Sequence, residues 1–334
     1  MSRVEFQHRM AAHCETGTIS SILHHYGLDI SEPMVLGIAG GIFFAYLDTP
    51  RLAFPTFVPR SKPGDIRKQI AKNLKIQFVT KKFRKPEKAK EYLNTHLSQN
   101  IPIVVQVDMF NMDYIPSYMR AHFNGHFITV VGNDDGRYQV SDCYYPEIAS
   151  VKQSSLETGR FAKGDLAPGG FCFHPRGIPE KPDLRPAIIK GIKRASYNMT
   201  KLPIPFLGVK GIRMFSRKVL DWPTRARDRE HLSHEIAMIH IILEERGTGG
   251  AGFRFMYASF LQEAAAILDN PSLLDMAREM TAIGDRWREI SLYVARIAKA
   301  RDFSADRMKQ LSEMIAARAD EEQSFFTRLP SMVA

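Results

Sequence analysis

Apolar residues along the chain recur at helical spacing near the N-terminus, in strand-like runs between residues 102 and 142, and at helical spacing again beyond residue 225. Thr18, Ile19, Ile22, Leu23 and Tyr26 form one stripe, which predicts a helix over 18–26, buried on one side and closed by Gly27. Ser31-Glu32-Pro33 reads as a second helix start. It leads into the apolar run 34–47, where Gly37, Gly40 and Gly41 permit close backbone approach for packing or for a substrate channel. Residues 52–62 read as a proline-rich loop, 64–74 as a helix, 76–80 as a short strand and 86–99 as an amphipathic helix opened by Pro86.

The period then changes. Residues 102–107 (PIVVQV), 126–131 (HFITVV) and 137–142 (RYQVSD) read as strands, the last two joined by a hairpin turn at Asp135-Gly136. Helices followed by an antiparallel sheet make an α+β domain over residues 1–180. The Pro- and Gly-rich stretch 168–186 reads as a boundary or covering loop, and 181–224 as a basic linker or covering segment. Helical patterns over 225–246, 253–268, 272–283, 285–299 and 304–326 predict an all-α bundle over 225–330.

Composition adds bounds. Hydrophobic residues at 44% and charged residues at 25% are ordinary globular values, so the chain can bury a sizeable core and is not disordered. The first ten residues lack an apolar signal segment, and 34–47 is too short to span a bilayer; the expectation is a soluble, cytoplasmic protein. Cys14, Cys143 and Cys172 are an odd number, which fits a reducing compartment better than a disulfide framework.

The net charge of +10 is concentrated: from Arg185 to Lys218 there are basic residues and no acidic ones. Such a stretch suits nucleic acid, an anionic membrane surface, an acidic carrier protein or a coenzyme's phosphates, or is a solvated linker. No nucleic-acid recognition motif accompanies it.

Cys14 stands just ahead of the first predicted helix, among free backbone N–H groups at the positive end of the helix dipole, where a nucleophilic cysteine belongs. On position alone a buried structural thiol is the alternative. His126 opens one strand of the hairpin and Asp142 closes the other, so pairing brings imidazole and carboxylate together. A carboxylate on one ring nitrogen leaves the other to take the Cys14 proton. Cys143, Cys172 and His174 lack zinc-site spacing, and no metal is assigned. Arg254 with Gly247, Thr248, Gly249 and Gly250 offers a guanidinium and backbone N–H groups to a phosphate or carboxylate; a helix-to-helix turn is the other reading.

The stretch HCETGTISSILHHYGLDISEPMVLGIAGGIFFAYL, together with VQVDMFNMDYIPSY, HFNGHFITVVGNDD and YQVSD, resembles the N-terminal domain of the butirosin biosynthesis protein H family. RGTGGAGFRFMYASFLQEAA is similar to the helical domain that commonly follows it. The resemblance implies a papain-like cysteine-peptidase fold with Cys14 as nucleophile, His126 as base and Asp142 as orienting acid. It also implies an acyltransferase that moves an acyl group from a phosphopantetheine thioester on an acidic acyl carrier protein, or from CoA, to an amine or hydroxyl of a small-molecule acceptor. No bound cofactor is implied.

The family often has a glycine two residues before the cysteine; here Ala12 stands there. Related peptidases place an oxyanion-hole glutamine about six residues upstream, where this chain has His8 and, one residue farther, Gln7. Asp108 and Tyr114 match motif positions and either line an acceptor pocket or anchor the loop before His126. Two other functions share these residues. A peptidase, amidase or thioesterase would use the same triad with water, and a non-catalytic module would bind a carrier or membrane surface through 185–218.

Overall fold

The computed structural model describes residues 2–333. The described residues form two compact units, one from residues up to 35 and 70–182, the other from 36–69 and 183 onward. In chain order the first elements are β1 (Ser2–Arg3), α1 (Cys14–His25), α2 (Glu32–Ile38), β2 (Ile42–Leu47), β3 (Thr56–Arg60), α3 (Asp65–Leu74), β4 (Gln77–Lys81) and α4 (Pro86–Ser98). There follow β5 (Ile103–Val107), β6 (His126–Asp134), β7 (Arg137–Ser141), β8 (Ala149–Lys152), α5 (Gln153–Arg160) and β9 (Cys172–Gly177). The rest is helical: α6 (Leu184–Thr200), α7 (Gly208–Lys218), α8 (Trp222–Arg225), α9 (Arg229–His240), α10 (Arg254–Leu268), α11 (Ser272–Ala300) and α12 (Ala305–Arg328). The class is α+β with an all-helical C-terminal region.

The first unit is built on a seven-stranded antiparallel sheet in the order β4-β9-β5-β6-β7-β8, with β1 also on β6. Leu93 and Leu97 of α4 and Leu156 of α5 join Ile103, Val105, Ile128 and Val130 in its core. Helix α1 lies against β6, and the Thr18 hydroxyl donates to the Phe127 carbonyl at 3.3 Å. Every residue of α1 from Cys14 to Leu23 is buried, so this helix is enclosed rather than buried on one side. Strand β9 lies in the stretch that composition marks as a boundary loop, yet it pairs with both β4 and β5 in the middle of the sheet. Its apolar residues Cys172 and Phe173 are buried, which offsets the flanking Pro and Gly content.

The second unit departs from the expected domain division in two places. Segment 181–224 is not a linker: Asp183 caps α6 by accepting from Arg185 N–H, and Ala187, Ile188, Ile192, Ala195 and Met199 bury one face of that helix. Gly191 fits against Gly37 and Ile38, where a Cβ would lie 2.2 Å from the Gly37 carbonyl oxygen, so the close approach at Gly37 serves packing. Residues 36–69 also belong to this unit. They contribute the hairpin β2–β3, whose Phe44 and Phe57 meet Phe215 of α7 at ring distances of 6.2 and 5.1 Å. The expected loop over 52–62 thus contains a strand, with Pro59 tolerated in a two-stranded ribbon.

Two predicted helices fuse into α11, because Gly284 continues the helix and makes room for the Phe255 ring. The helix expected over 225–246 starts only at Arg229, after the cap Asp228, and continues past His240 as a π-turn over Ile241–Glu245.

Candidate active site

Cys14 is the first residue of α1, capped by His13, whose ring accepts from Thr16 N–H. The thiol is buried, 2% exposed, and its Sγ lies 3.9 Å from the Gly125 carbonyl oxygen, one residue before His126. His126 pairs with Val107 across β5 and β6. The β6–β7 ladder ends at Thr129 opposite Ser141, so Asp142 follows directly and reaches diagonally toward His126. His126 Nε2 and Asp142 Oδ2 are 2.8 Å apart, both side chains fully buried. The other ring nitrogen, Nδ1, has no hydrogen-bond partner and is the one left for Cys14.

The electrostatics follow. Burial by itself disfavours a charged His126 ring, but the charge and hydrogen bond of Asp142 outweigh it and, with Cys14 adding, lift its pKa to about 10. Burial likewise pushes Asp142 up, but the His126 charge, its hydrogen bond, the Tyr114 hydroxyl and Tyr144 N–H together hold the carboxyl below its usual range. Such a pair holds a proton on the imidazole across neutral pH.

The loop before Cys14 is fixed from two sides. Glu32 accepts from Ala12 N–H at 2.9 Å, His13 N–H at 2.8 Å and the Thr16 hydroxyl at 2.7 Å. Burial raises the Glu32 pKa, and these three donors only partly offset it. On the other side Ala11 N–H donates to the Cys143 carbonyl at 3.0 Å. A Cβ on Gly17 would lie 2.3 Å from Ala11 Cβ and 3.4 Å from Cys143 Cβ. Only glycine lets the loop and the turn carrying Asp142 close on the first turn of α1. The sequence pattern offers Glu32 only as part of a helix start, so its grip on this loop is missed there.

Two family descriptions match the chain: "Butirosin biosynthesis protein H, N-terminal" over residues 13–143 and "Domain of unknown function (DUF4872)" over residues 154–329. The second of these covers more than half of the chain, so the chain belongs to the family of that domain of unknown function, and its residues 13–143 are similar to the N-terminal domain of butirosin biosynthesis protein H. Among solved structures, a candidate C39-like peptidase from Bacillus anthracis aligns with 54% of this chain and 100% of its own, at 10% identity and a TM-score of 0.36. No curated protein matches the sequence.

Of the remaining candidate residues, Gln7 lies away from the site, and the others take the structural one of their two readings or brace the triad. Gln7 Oε1 is 2.6 Å from His24 Nε2, near the C-terminal end of α1, about 15 Å along the helix from Cys14. It is therefore not an oxyanion donor. His8 bonds the Ser141 hydroxyl at 2.8 Å and the Tyr145 carbonyl at 2.7 Å, bracing the turn around Asp142. Asp108 accepts from Asn111 Nδ2, His122 Nδ1 and Phe123 N–H, so it anchors the loop before His126 rather than a ligand. Tyr114 donates to Asp142 Oδ2 at 2.7 Å and supports the carboxylate rather than lining an acceptor pocket.

Arg254 is also spent on structure. Fully buried, it donates to both oxygens of Glu322 at 2.9 and 3.0 Å and to the Gly252 carbonyl at 2.8 Å, with its guanidinium 5.0 Å from the Trp287 ring. The 247–250 run is a helix-to-helix turn: Thr248 donates to the Leu243 carbonyl and accepts from Gly250 N–H. Cys143 and Cys172 are free, buried thiols. Among the described residues no group of three or more His, Cys, Asp or Glu could hold a metal ion, and no helix is long and apolar enough to cross a membrane.

Proposed function

We propose that this chain is a papain-like cysteine acyltransferase, with Cys14 as nucleophile, His126 as base and then acid, and Asp142 as the group that orients and charges the ring. The observation that carries the reading is the buried His126–Asp142 bond at 2.8 Å, which uses Nε2 and leaves Nδ1 for Cys14. Cys14 Sγ attacks the carbonyl carbon of an acyl thioester, forming a new C–S bond. The bond to the donor sulfur breaks, and that thiol leaves with the proton carried by His126. An amine or hydroxyl then attacks the acyl-enzyme, gives its proton to His126, and releases amide or ester as Cys14 recovers its hydrogen.

The likeness of residues 13–143 to butirosin biosynthesis protein H supports transfer rather than plain hydrolysis, as does the burial of all three side chains, which keeps water from the acyl-enzyme. The donor in this reading is phosphopantetheine on an acidic acyl carrier protein, or CoA. Lys190 and Lys193 of α6 and Lys201 at its C-terminal cap are exposed and suit an acidic partner, or the surface of an anionic membrane.

The test is product analysis with short acyl thioesters, with and without a panel of primary amines and alcohols. Amide or ester formed only when Cys14 is present supports transfer. Free acid alone, at a rate independent of any acceptor, identifies a hydrolase instead.

A further inference from the structure

Cysteine acyl transfer develops negative charge on the carbonyl oxygen, and two donors are normally needed to hold it. The backbone N–H of Cys14 supplies one. Gln7, the residue that the upstream spacing offers as the second, is engaged with His24 at the far end of α1. The side chain that lies beside Cys14 is Tyr144, whose ring stacks on His126 and whose phenol is close enough to the Cys14 backbone N–H to be influenced by it.

Tyr144 is held there by the same turn that carries Asp142. Its N–H donates to Asp142 Oδ1 at 3.2 Å, and its ring stacks on His126 with centroids 5.5 Å apart and planes 19° apart. The turn is clamped by Ala11 N–H on the Cys143 carbonyl, by Tyr145 N–H on the Asp142 carbonyl and by His8 on Ser141 and Tyr145. Burial first, then the charges at Cys14, Cys143 and Asp142, push the phenol well above its ordinary range, so it keeps its proton at any working pH.

We propose that the Tyr144 hydroxyl and the Cys14 backbone N–H are the two donors of the oxyanion hole, with Tyr144 a catalytic residue that touches the reacting carbonyl oxygen. The proposal rests on the acyl-transfer reading. In the free protein the two groups are neighbours. A carbonyl oxygen entering between them accepts from both. As Cys14 Sγ adds to the carbonyl carbon, the π pair moves onto that oxygen, and the phenol proton and the amide proton hold it until the donor C–S bond breaks. Both donors sit on clamped backbone, so little reorganisation is required when the charge appears.

Tyr144→Phe tests this because it deletes one hydroxyl and keeps the ring on His126. Two rates are measured on the full chain: acylation of Cys14 by a short acyl thioester, followed by intact mass, and alkylation of Cys14 by iodoacetamide. Alkylation displaces iodide at a saturated carbon and forms no oxyanion, so it reports the Cys14–His126 pair alone. The expected result is acylation slowed about 100-fold with alkylation unchanged. Unchanged acylation overturns the proposal. So does a parallel fall in both rates, which assigns Tyr144 to positioning His126. An unmodified protein that is alkylated at Cys14 but never acylated defeats the acyl-transfer reading itself, and the oxyanion assignment with it.

Discussion

The Tyr114 hydroxyl donates to Asp142 Oδ2 at 2.7 Å, the same oxygen that receives the His126 ring at 2.8 Å. One carboxylate oxygen is therefore held by two donors, one from the segment between β5 and β6 and one from the start of β6, and removing either loosens the other. Tyr114→Phe is expected to cost about 1.5 kcal/mol of stability, as for a hydrogen bond to a charged group. It should also slow Cys14 acylation, because Asp142 loses one of the contacts that keep it ionised. Urea unfolding and acylation rate measured on the same preparation check this; a variant equal to the unmodified protein in both would contradict it.

Asp142→Asn keeps the shape and removes the charge. The expected loss of turnover is on the order of 1000-fold, because the ring is no longer held in the right protonation state. Stability should respond to pH as well. In the unfolded chain the imidazole titrates near 6.5 and the carboxyl near 3.9. Folding raises the first to about 10 and lowers the second. The pair thus contributes in full between roughly pH 4 and 6.5, loses its contribution as pH rises through about 10, and loses it again as pH falls through the folded Asp142 value. The gap in urea midpoint between the unmodified protein and Asp142→Asn should therefore narrow from pH 6.5 to 10; a constant gap rules the pairing out.

Glu32→Gln leaves one acceptor oxygen where two now serve the Ala12 N–H on one side and the His13 N–H and Thr16 hydroxyl on the other. A loss of about 1–3 kcal/mol is expected from the unsatisfied donor. The loop carrying Ala12 and His13 should loosen, seen as faster hydrogen exchange at those two amides. Exchange as slow as in the unmodified protein would mean that other contacts hold the loop.

Arg254 distinguishes a structural role from a binding one. Arg254→Met leaves Glu322 buried with only the Trp287 N–H, and should cost about 3–5 kcal/mol. Adding Glu322→Leu should recover part of that loss, since the remaining charge is gone. If Arg254 bound substrate, the double variant would in addition lose affinity for the donor or acceptor, which titration with each substrate would reveal.

Much of the site is legible in the sequence because its signals are local. A cysteine before a helical stripe, and a histidine and an aspartate on either side of an Asp-Gly hairpin, make Cys14, His126 and Asp142 candidates when taken together, though none of them is by its own position. The neighbours that tune them are not legible, because they act over long separations. Glu32 reaches residues 12–16, Tyr114 reaches Asp142, and Tyr144 reaches Cys14 only after the sheet has closed. The domain division was obscured by composition: Pro and Gly around 168–186 read as loop, while the buried faces of β9 and α6 that decide the fold are formed by a few apolar residues each. Spacing and residue type point to Gln7 and Arg254 but do not say which partner claims a side chain first.

The central claim, that Cys14 carries an acyl group activated by His126 and Asp142, is tested most directly by intact mass after brief exposure to a short acyl thioester. The unmodified protein, Cys14→Ala and His126→Ala are compared. The account predicts one acyl adduct on the unmodified chain, none on Cys14→Ala, a much slower one on His126→Ala, and discharge of the adduct when an amine is added. An adduct that persists in Cys14→Ala, or none on the unmodified protein with any carrier-bound or CoA thioester, would contradict it.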